Sequence, residues 1–278
     1  MPNKEKFAQP WKKWARDWKK LTHPSRPCQK NIRDYTRFLK EAIKGKKEAR
    51  ALVFGATPEI RDMLAQFPQI EVTVVDINIE MILAMTELMK HKDKANEEAW
   101  LRSDWLRDPL KNNYYDVAFG DYIFENLPHK KQPLLFKRAH DLLKKNGYFI
   151  TRFYADYPES KTRDFEGLVL DYIKQRPTAQ NFENFWSAGL FYSNARKEHI
   201  LGVNIFLEEL KKYTKHPKIK MVYQKASELL PKDKEWTYFN WQRDKWMLEK
   251  YFILEKKAAE PKKSTAYNWG YVLKLKRR

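Results

Sequence analysis

The sequence predicts an α/β fold, with a mostly parallel sheet that is covered by helices on both faces. From residue 49 to residue 155, short apolar segments rich in β-branched residues alternate with amphipathic segments of helical length, an order typical of parallel sheets. The 278 residues are 42% hydrophobic and 15% aromatic, which is enough apolar material for a substantial core. We expect three parts: a helical extension (1–48), the α/β core (49–155), and a helical, aromatic-rich elaboration that also carries the last strands of the sheet (156–278).

Two helices are predicted for the extension. The first spans residues 3–20, where four aromatic residues recur at spacings of 4, 3 and 4 and therefore share one helical face suited to packing on the core. Prolines then break the pattern, and a second amphipathic helix is expected from about Asn31 to Lys44. The aromatic face of the first helix consists of Phe7, Trp11, Trp14 and Trp18.

Five strands and three helices are predicted for the core. Each strand is a short apolar run of the kind that is buried on both faces of a parallel sheet. The predicted strands are residues 51–55, 70–77, 99–104, 114–121 and 148–154. The predicted helices are residues 58–67, 78–90 and 128–147, the last of them closed by Gly147, because glycine is favoured just after a helix.

After residue 154 the alternation of strands and helices ends. Residues 160–175 and 181–214 have mainly helical patterns, and residues 217–247 give no clear pattern. Residues 251–260 and 268–278 alternate apolar and polar side chains, which predicts two further strands. We expect these strands to form an antiparallel pair that completes a seven-stranded sheet.

The formal charge of +19 is unevenly distributed. Residues 1–50 carry a net charge of +11, residues 51–150 of −2, and residues 151–278 of +10. The basic surplus therefore lies on the flanks, where it provides either a basic binding surface or simply solvated lysines.

The single cysteine, Cys28, excludes a disulfide framework and a cysteine-rich zinc site. Because there is also no long apolar run, we expect a soluble cytoplasmic protein without a membrane partner or a bound metal.

The turn after the first strand carries one glycine, Gly55, where a dinucleotide-binding turn has three. Thr57 and Ile60 stand where the second and third would fall. Because the second glycine lets the backbone approach a pyrophosphate, its absence favours a nucleoside ligand without phosphate. Asp76 ends the second strand 21 residues after Gly55, the place of a carboxylate that binds ribose hydroxyls. The alternative is that Asp76 only caps the next helix.

Five ordered segments of the core resemble the motifs of the class I S-adenosylmethionine-dependent methyltransferases. ALVFGATPEI is similar to the first motif, although with a single glycine, VTVVDIN to the second and WLRSDWL to the third. YDVAFGDYIFENLP resembles the fourth, and LLKKNGYFITRFY resembles the segment that closes the core. The resemblance extends from Ala49 to Tyr154. It implies a Rossmann-like fold, S-adenosylmethionine as the cofactor, and methyl transfer as the activity.

The resemblance also implies the residues that bind the cofactor. Asp76 would hold the ribose and Ile77 would contact the adenine. Asp104 would face the adenine amine, and Trp105 would supply a backbone contact or a stacking wall. The turn of residues 55–57 would line the methionine part of the cofactor, and Gly120 would begin the active-site loop. The full set is Gly55, Ala56, Thr57, Asp76, Ile77, Asp104, Trp105 and Gly120.

The loop GDYIFENLPH supplies candidates for a catalytic base. Methyl transfer from a sulfonium is an in-line displacement, so the enzyme aligns the reactants and removes a proton when the acceptor is neutral. Three of the candidates also have a structural interpretation: Asp121 could hold the cofactor's amino group, Glu125 could be a solvated loop charge, and His129 could open the next helix. The candidates are Asp121, Tyr122, Glu125 and His129.

Three functions stay open on the substrate side. The preferred one is methyl transfer to an oxygen or nitrogen of a small molecule, with aromatic residues of the elaboration as the walls of its pocket. The second is methylation of RNA bound by the basic flanks, and the third is nucleoside binding without catalysis. The same aromatic residues could instead be the core of the appended helices. They are Phe182, Phe185, Trp186, Phe191, Tyr192, Trp236, Tyr238, Phe239 and Trp241.

Overall fold

The computed structural model describes residues 17–156, 164–194, 200–230, 232, 234–259 and 270–278. Most of the helix predicted over residues 3–20 lies outside the described residues, including Phe7, Trp11 and Trp14; its last part, Trp18–Lys20, forms a short 3-10 helix. The second predicted helix is confirmed as α1, Gln29–Ala42, which buries its apolar face.

The predicted seven-stranded, mostly parallel sheet is confirmed. The strands are β1 (Ala49–Phe54), β2 (Ile70–Asp76), β3 (Ala99–Arg102), β4 (Tyr115–Asp121), β5 (Leu143–Asp156), β9 (Phe252–Ala259) and β10 (Gly270–Arg277). Their order in the sheet is β3-β2-β1-β4-β5-β10-β9. The first five strands in this order are parallel, and β10 runs antiparallel to both β5 and β9.

Helices cover both faces of the sheet. Neighbouring residues of β1 point to opposite sides, and both sides carry apolar side chains that are buried under helices. Ala51 and Val53 pack in an apolar cluster with α1, α2 (Pro58–Leu64) and α3 (Ile79–Thr86). Leu52 and Phe54 pack in a second cluster with α4 (Gln132–Leu142). Residues 51–54 of β1 are apolar and buried, so β1 is the central strand, covered on both faces, that its sequence predicts.

The prediction of one helix over residues 128–147 is wrong. Residues His129–Lys131 form a 3-10 turn, α4 ends at Leu142, and β5 begins at Leu143, which pairs with Tyr115. Ladder pairing resumes only at Tyr148, so the residues between bulge out of the sheet. Gly147 belongs to this bulge, where a Cβ atom would lie 2.9 Å from the Lys144 carbonyl oxygen. Glycine is thus needed for close backbone approach and not as a helix terminator.

The elaboration is mainly helical and has an apolar cluster of its own. The predicted helix over 181–214 is interrupted by a short strand that pairs with a second one further on. A third short strand pairs in parallel with the last residues of β5. The elements are α5 (Phe165–Lys174), α6 (Ala179–Ser193), β6 (Ile200–Gly202), α7 (Val203–Lys211), α8 (Pro217–Leu229), β7 (Glu235–Thr237), β8 (Phe239–Asn240) and α9 (Trp241–Glu249).

A fully buried arginine, Arg61 of α2, joins the helices on one face of the sheet. Its guanidinium donates from Nη2 to Glu98 Oε2 at 2.5 Å and to Thr86 Oγ1 at 2.7 Å, and its Nη1 donates to the Ile82 carbonyl at 3.3 Å. The Trp100 ring lies 5.6 Å from the same group. Every part of this buried cation therefore has a partner, which is the condition for tolerating it in the interior.

Candidate functional site

The first wall of the candidate site is the turn between β1 and α2. Gly55 has φ +86°, a left-handed conformation that glycine adopts without strain, and its N–H donates to the Val75 carbonyl at 2.9 Å. A Cβ atom at Gly55 would lie 3.7 Å from Trp105 Cζ2 and 4.0 Å from Asp76 Oδ2. Three of the predicted cofactor residues, from three different segments, thus surround one point at the carboxyl end of the sheet.

Asp76 presents its carboxylate at this point. Its side chain is half-buried, and Oδ1 accepts a hydrogen bond from the Asn78 N–H at 2.8 Å. Burial raises the pKa of Asp76 to about 6, partly offset by the backbone N–H donors. The cap of α3 is Asn78, whose Oδ1 accepts from the Glu80 N–H at 3.1 Å. The alternative role of Asp76 as the cap of that helix is therefore wrong, and Oδ2 faces the Gly55 turn.

Aromatic and apolar groups flank the carboxylate. Trp105 donates from Nε1 to the Val75 carbonyl at 2.9 Å, and its ring lies edge-on to Phe54. Ile77 is 46% exposed, so its apolar side chain is open to a planar ligand. Asp104 is exposed and accepts from the Leu106 N–H at 3.0 Å.

These residues fit the nucleoside end of S-adenosylmethionine. The fit rests on the space that the missing Cβ of Gly55 leaves beside Asp76 Oδ2, together with a carboxylate for hydroxyl groups and apolar surfaces for a base. Ala56 is buried behind the turn. Thr57 is the residue before α2, but its side chain makes no capping hydrogen bond, and Pro58 takes the first helical position as predicted.

The end of β4 is held by a buried ion pair. Arg152, a fully buried residue of β5, donates from Nε to Asp121 Oδ1 at 2.6 Å and from Nη2 to Oδ2 at 3.0 Å. Tyr35 of α1 donates its hydroxyl proton to the Gly120 carbonyl at 2.8 Å. A Cβ on Gly120 would lie 2.5 Å from Cδ1 and 2.8 Å from Cγ1 of the buried Ile123, so a larger residue at this position would displace the Ile123 side chain. Asp121 is thus a structural anchor of the loop in this arrangement.

Tyr122 follows with φ +51°, an uncommon conformation for a residue with a large side chain. The Arg152 guanidinium lies 3.9 Å from the centre of its ring, which is close cation–π contact. Asn126 donates from Nδ2 to the Tyr122 carbonyl at 3.0 Å. The strained residue is therefore held from both its side chain and its backbone.

The remaining predicted catalytic residues lie further along the same loop. Glu125 is buried in the 3-10 turn Phe124–Asn126. His129 is 28% exposed, and its Nε2 lies 3.2 Å from Oδ1 of the buried Asp244 on α9. Asp244 also accepts from the Asn240 N–H at 2.8 Å. His129 does not open the next helix directly, because a 3-10 turn precedes α4.

The elaboration covers this loop with β7. Thr237 donates from Oγ1 to the Leu127 carbonyl at 2.9 Å and accepts from Gln132 Nε2 at 2.8 Å. Lys234 donates from Nζ to Asn126 Oδ1 at 3.2 Å. The loop after β4 is therefore covered by a segment of the elaboration for which the sequence pattern made no structural prediction.

Residues 17–28, called the strap below, connect the core to the elaboration. Trp18 donates from Nε1 to Glu59 Oε1 on α2 at 3.2 Å, and Arg26 Nε donates to the same oxygen. At the other side, Ser25 donates from Oγ to Glu183 Oε2 on α6 at 2.7 Å. Glu183 is buried, and this burial raises its pKa to about 7.

Four of the nine aromatic residues predicted as pocket walls are core residues. Phe182, Phe185 and Trp186 are buried in the apolar cluster of the elaboration, and Phe239 is buried against Phe153. Five others are only partly buried and remain available to a ligand: Phe191, Tyr192, Trp236, Tyr238 and Trp241.

Several residues of the site were not predicted from sequence. Arg152 carries a signal, because an arginine within the apolar run YFITRFY must find a buried partner. Tyr35, Asp244 and the Arg26–Glu59 pair carry none, because their partners lie far away in the chain.

Two kinds of feature are absent from the residues that the structure describes. No group of three or more His, Cys, Asp or Glu residues in these parts of the chain could hold a metal ion. None of the helices described is both long and apolar enough to cross a membrane.

Comparisons with known proteins show what the core is similar to. Residues 54–151 match the family described as methyltransferase domain. The chain is similar in structure to magnesium protoporphyrin IX methyltransferase of Synechocystis, solved with S-adenosylhomocysteine (TM-score 0.51, 11% identity, 90% of this chain and 83% of that chain). It is also similar to a SAM-dependent methyltransferase of Methanosarcina mazei, with a TM-score of 0.51 and 11% identity over 84% of this chain and 93% of that chain. A third similar structure is a Rhodobacter sphaeroides protein named as a zinc-dependent alcohol dehydrogenase, with a TM-score of 0.60 and 14% identity over 100% of both chains. No curated protein sequence matches.

Proposed function

We propose that the protein methylates an oxygen or nitrogen atom of a small molecule, with S-adenosylmethionine as the methyl donor. The match of residues 54–151 to the methyltransferase domain family and the class I fold of the sheet support this proposal. The cofactor, when bound, supplies an electrophilic methyl group on a sulfonium. Gly55, Asp76 and Trp105 hold its nucleoside end, and the loop from Gly120 onward faces the acceptor.

The observation that carries the small-molecule assignment is the covered loop. Thr237 and Lys234 bind residues 126–127 from above, and the strap bridges α2 and α6 on the other side. A roofed site excludes water and suits a small acceptor, whereas a nucleic acid needs an open groove. The three-part division into extension, core and elaboration is part of this proposal, with the elaboration as the substrate side.

Among the loop residues, His129 is best suited to take a proton from a neutral acceptor. Asp121 is engaged by Arg152 through both carboxylate oxygens, so its lone pairs are already occupied by charge-assisted donors. His129 is partly exposed and lies beside a buried carboxylate, Asp244, that can orient its ring. A base oriented by a third group is the arrangement that general-base catalysis uses.

A transfer experiment tests the acceptor class. The protein is incubated with S-adenosylmethionine that carries a radioactive methyl group, once with size-filtered metabolites and once with total RNA. We expect label in the small-molecule fraction and none in RNA. Label that ribonuclease releases would replace the proposal with RNA methylation. Saturable cofactor binding without transfer to either fraction, across a broad set of metabolites, would favour a nucleoside-binding protein without catalysis.

A further inference from the structure

The ion pair between the strap and α2 includes hydrogen-bond donors that the described residues do not use. Arg26 is 32% exposed and contacts Glu59 Oε1 through Nε. Its two terminal NH₂ groups have no hydrogen-bond acceptor among the residues that the structure describes. These groups are the parallel donors with which a guanidinium binds a carboxylate in a two-pronged manner.

The same ion pair includes a hydrogen-bond acceptor, a carboxylate oxygen of Glu59, that no described residue uses. Glu59 Oε1 accepts from both Trp18 and Arg26, whereas Oε2 is buried and has no hydrogen-bond partner in the described part of the chain. Burial raises the pKa of Glu59, and the neighbouring Arg26 opposes this effect. A buried carboxylate oxygen without a donor is costly, so its persistence points to a ligand that would supply one.

The two unused groups have complementary charges and lie on one ion pair. Glu59 follows the Gly55 turn by four residues, so the pair is next to the turn that faces the cofactor. A ligand that carries an ammonium and a carboxylate on one carbon would satisfy both groups at once. S-adenosylmethionine ends in such an amino acid, whereas the nucleoside end accounted for by Asp76 carries neither charge.

We propose that Arg26 and Glu59 form a receptor for the amino-acid end of S-adenosylmethionine, with the ammonium donating to Glu59 Oε2 and the carboxylate accepting from the terminal NH₂ groups of Arg26. The inference rests on the proposed function, because it requires that cofactor. It adds a residue from outside the methyltransferase domain, since Arg26 belongs to the strap. The strap then binds the cofactor in addition to joining the core and the elaboration.

Binding measurements with three ligands test the receptor. Titration calorimetry compares S-adenosylmethionine, its decarboxylated form, which keeps the ammonium, and 5′-methylthioadenosine, which lacks both charged groups. Arg26→Gln should weaken S-adenosylmethionine by about tenfold or more and leave the other two ligands within about twofold. Glu59→Gln should weaken S-adenosylmethionine and the decarboxylated form by a similar factor and spare 5′-methylthioadenosine. Arg37→Gln, a change on the exposed side of α1, is the matched control and should alter none of the three.

The outcomes separate this inference from the proposed function. If the unaltered protein binds all three ligands and Arg26→Gln weakens them equally or not at all, Arg26 only holds the strap and the receptor is refuted, while the cofactor assignment stands. If the unaltered protein binds none of them, the proposed function fails and the receptor fails with it. Thermal melting verifies that the variants are folded. Should Arg26→Gln not fold, Arg26→Lys keeps the charge without the fork and should weaken S-adenosylmethionine alone.

Discussion

Acidification should weaken nucleoside binding through Asp76. With a pKa of about 6, the ionised fraction of this carboxylate falls from about nine-tenths at pH 7 to about one-tenth at pH 5. Ribose hydroxyls donate to the ionised carboxylate, so affinity should fall with that fraction, by about tenfold over this range. The magnitude follows from the burial of Asp76 at the end of β2, because a solvent-exposed aspartate would stay ionised at both pH values.

The assay is calorimetric titration with 5′-methylthioadenosine between pH 5 and pH 8. This ligand has no group that titrates in the range and does not reach the Arg26–Glu59 pair, so the pH dependence reports on the nucleoside end. Asp76→Asn is the matched control: it should bind about 1–3 kcal/mol more weakly at pH 7 and show no pH dependence of its own. An affinity of the unaltered protein that is flat from pH 5 to pH 8, or an Asp76→Asn variant that binds as tightly at pH 7, would refute the ribose assignment.

Three further predictions concern other buried or paired groups. Arg61→Met should lower the free energy of unfolding by about 3–5 kcal/mol in urea titrations, because it leaves the Glu98 charge buried without its partner; a loss below about 1 kcal/mol would contradict this. The pKa of Glu183 is about 7 in the folded protein against an ordinary 4.5, so the folded state binds this proton more tightly and stability should fall as pH rises from 4.5 through 7, by about 3 kcal/mol in all. Glu183→Gln should abolish that loss in melts at pH 5 and pH 8, and an unchanged slope would show that another group titrates. Once an acceptor is known, His129→Asn should reduce kcat by about a hundredfold or more, whereas His140→Asn on α4 should not; equal effects of the two changes would remove His129 as the base.

The parts of the fold that the sequence predicts well are those in which local pattern and burial agree. Residues 51–54 of the first strand are apolar because this part of the strand is covered on both faces. Asp76 marks the end of the next strand because the chain there reaches the polar edge of the sheet. Gly55 is predictable for the same reason, since a tight turn must follow a buried strand. These features depend only on residues that are neighbours in the chain, so they can be predicted from a single sequence.

The features that the sequence does not predict depend on distant partners. Residues 143–147 are consistent with the end of a helix until Leu143 pairs with Tyr115, and that pairing is a property of the assembled sheet. Arg26 and Glu59 are separated by 33 residues, and no local pattern links a strap arginine to a helical glutamate. The residues proposed for the nucleoside end are therefore predictable, because they lie at strand ends. His129 is predictable only as one of four candidate bases, and the pairing of Arg26 with Glu59 is not predictable.

The place of β10 between β5 and β9 has a consequence for how the chain acquires its structure. During synthesis, β5 is complete long before Gly270–Arg277 emerges, so one edge of the growing sheet remains unpaired while the elaboration is being made. The separate apolar cluster of the elaboration can form in that interval without the missing strand. Closure of the sheet then requires a contact between segments far apart in the chain, which makes it a slow, late step and leaves the β5 edge as the region most exposed to aggregation until β10 arrives.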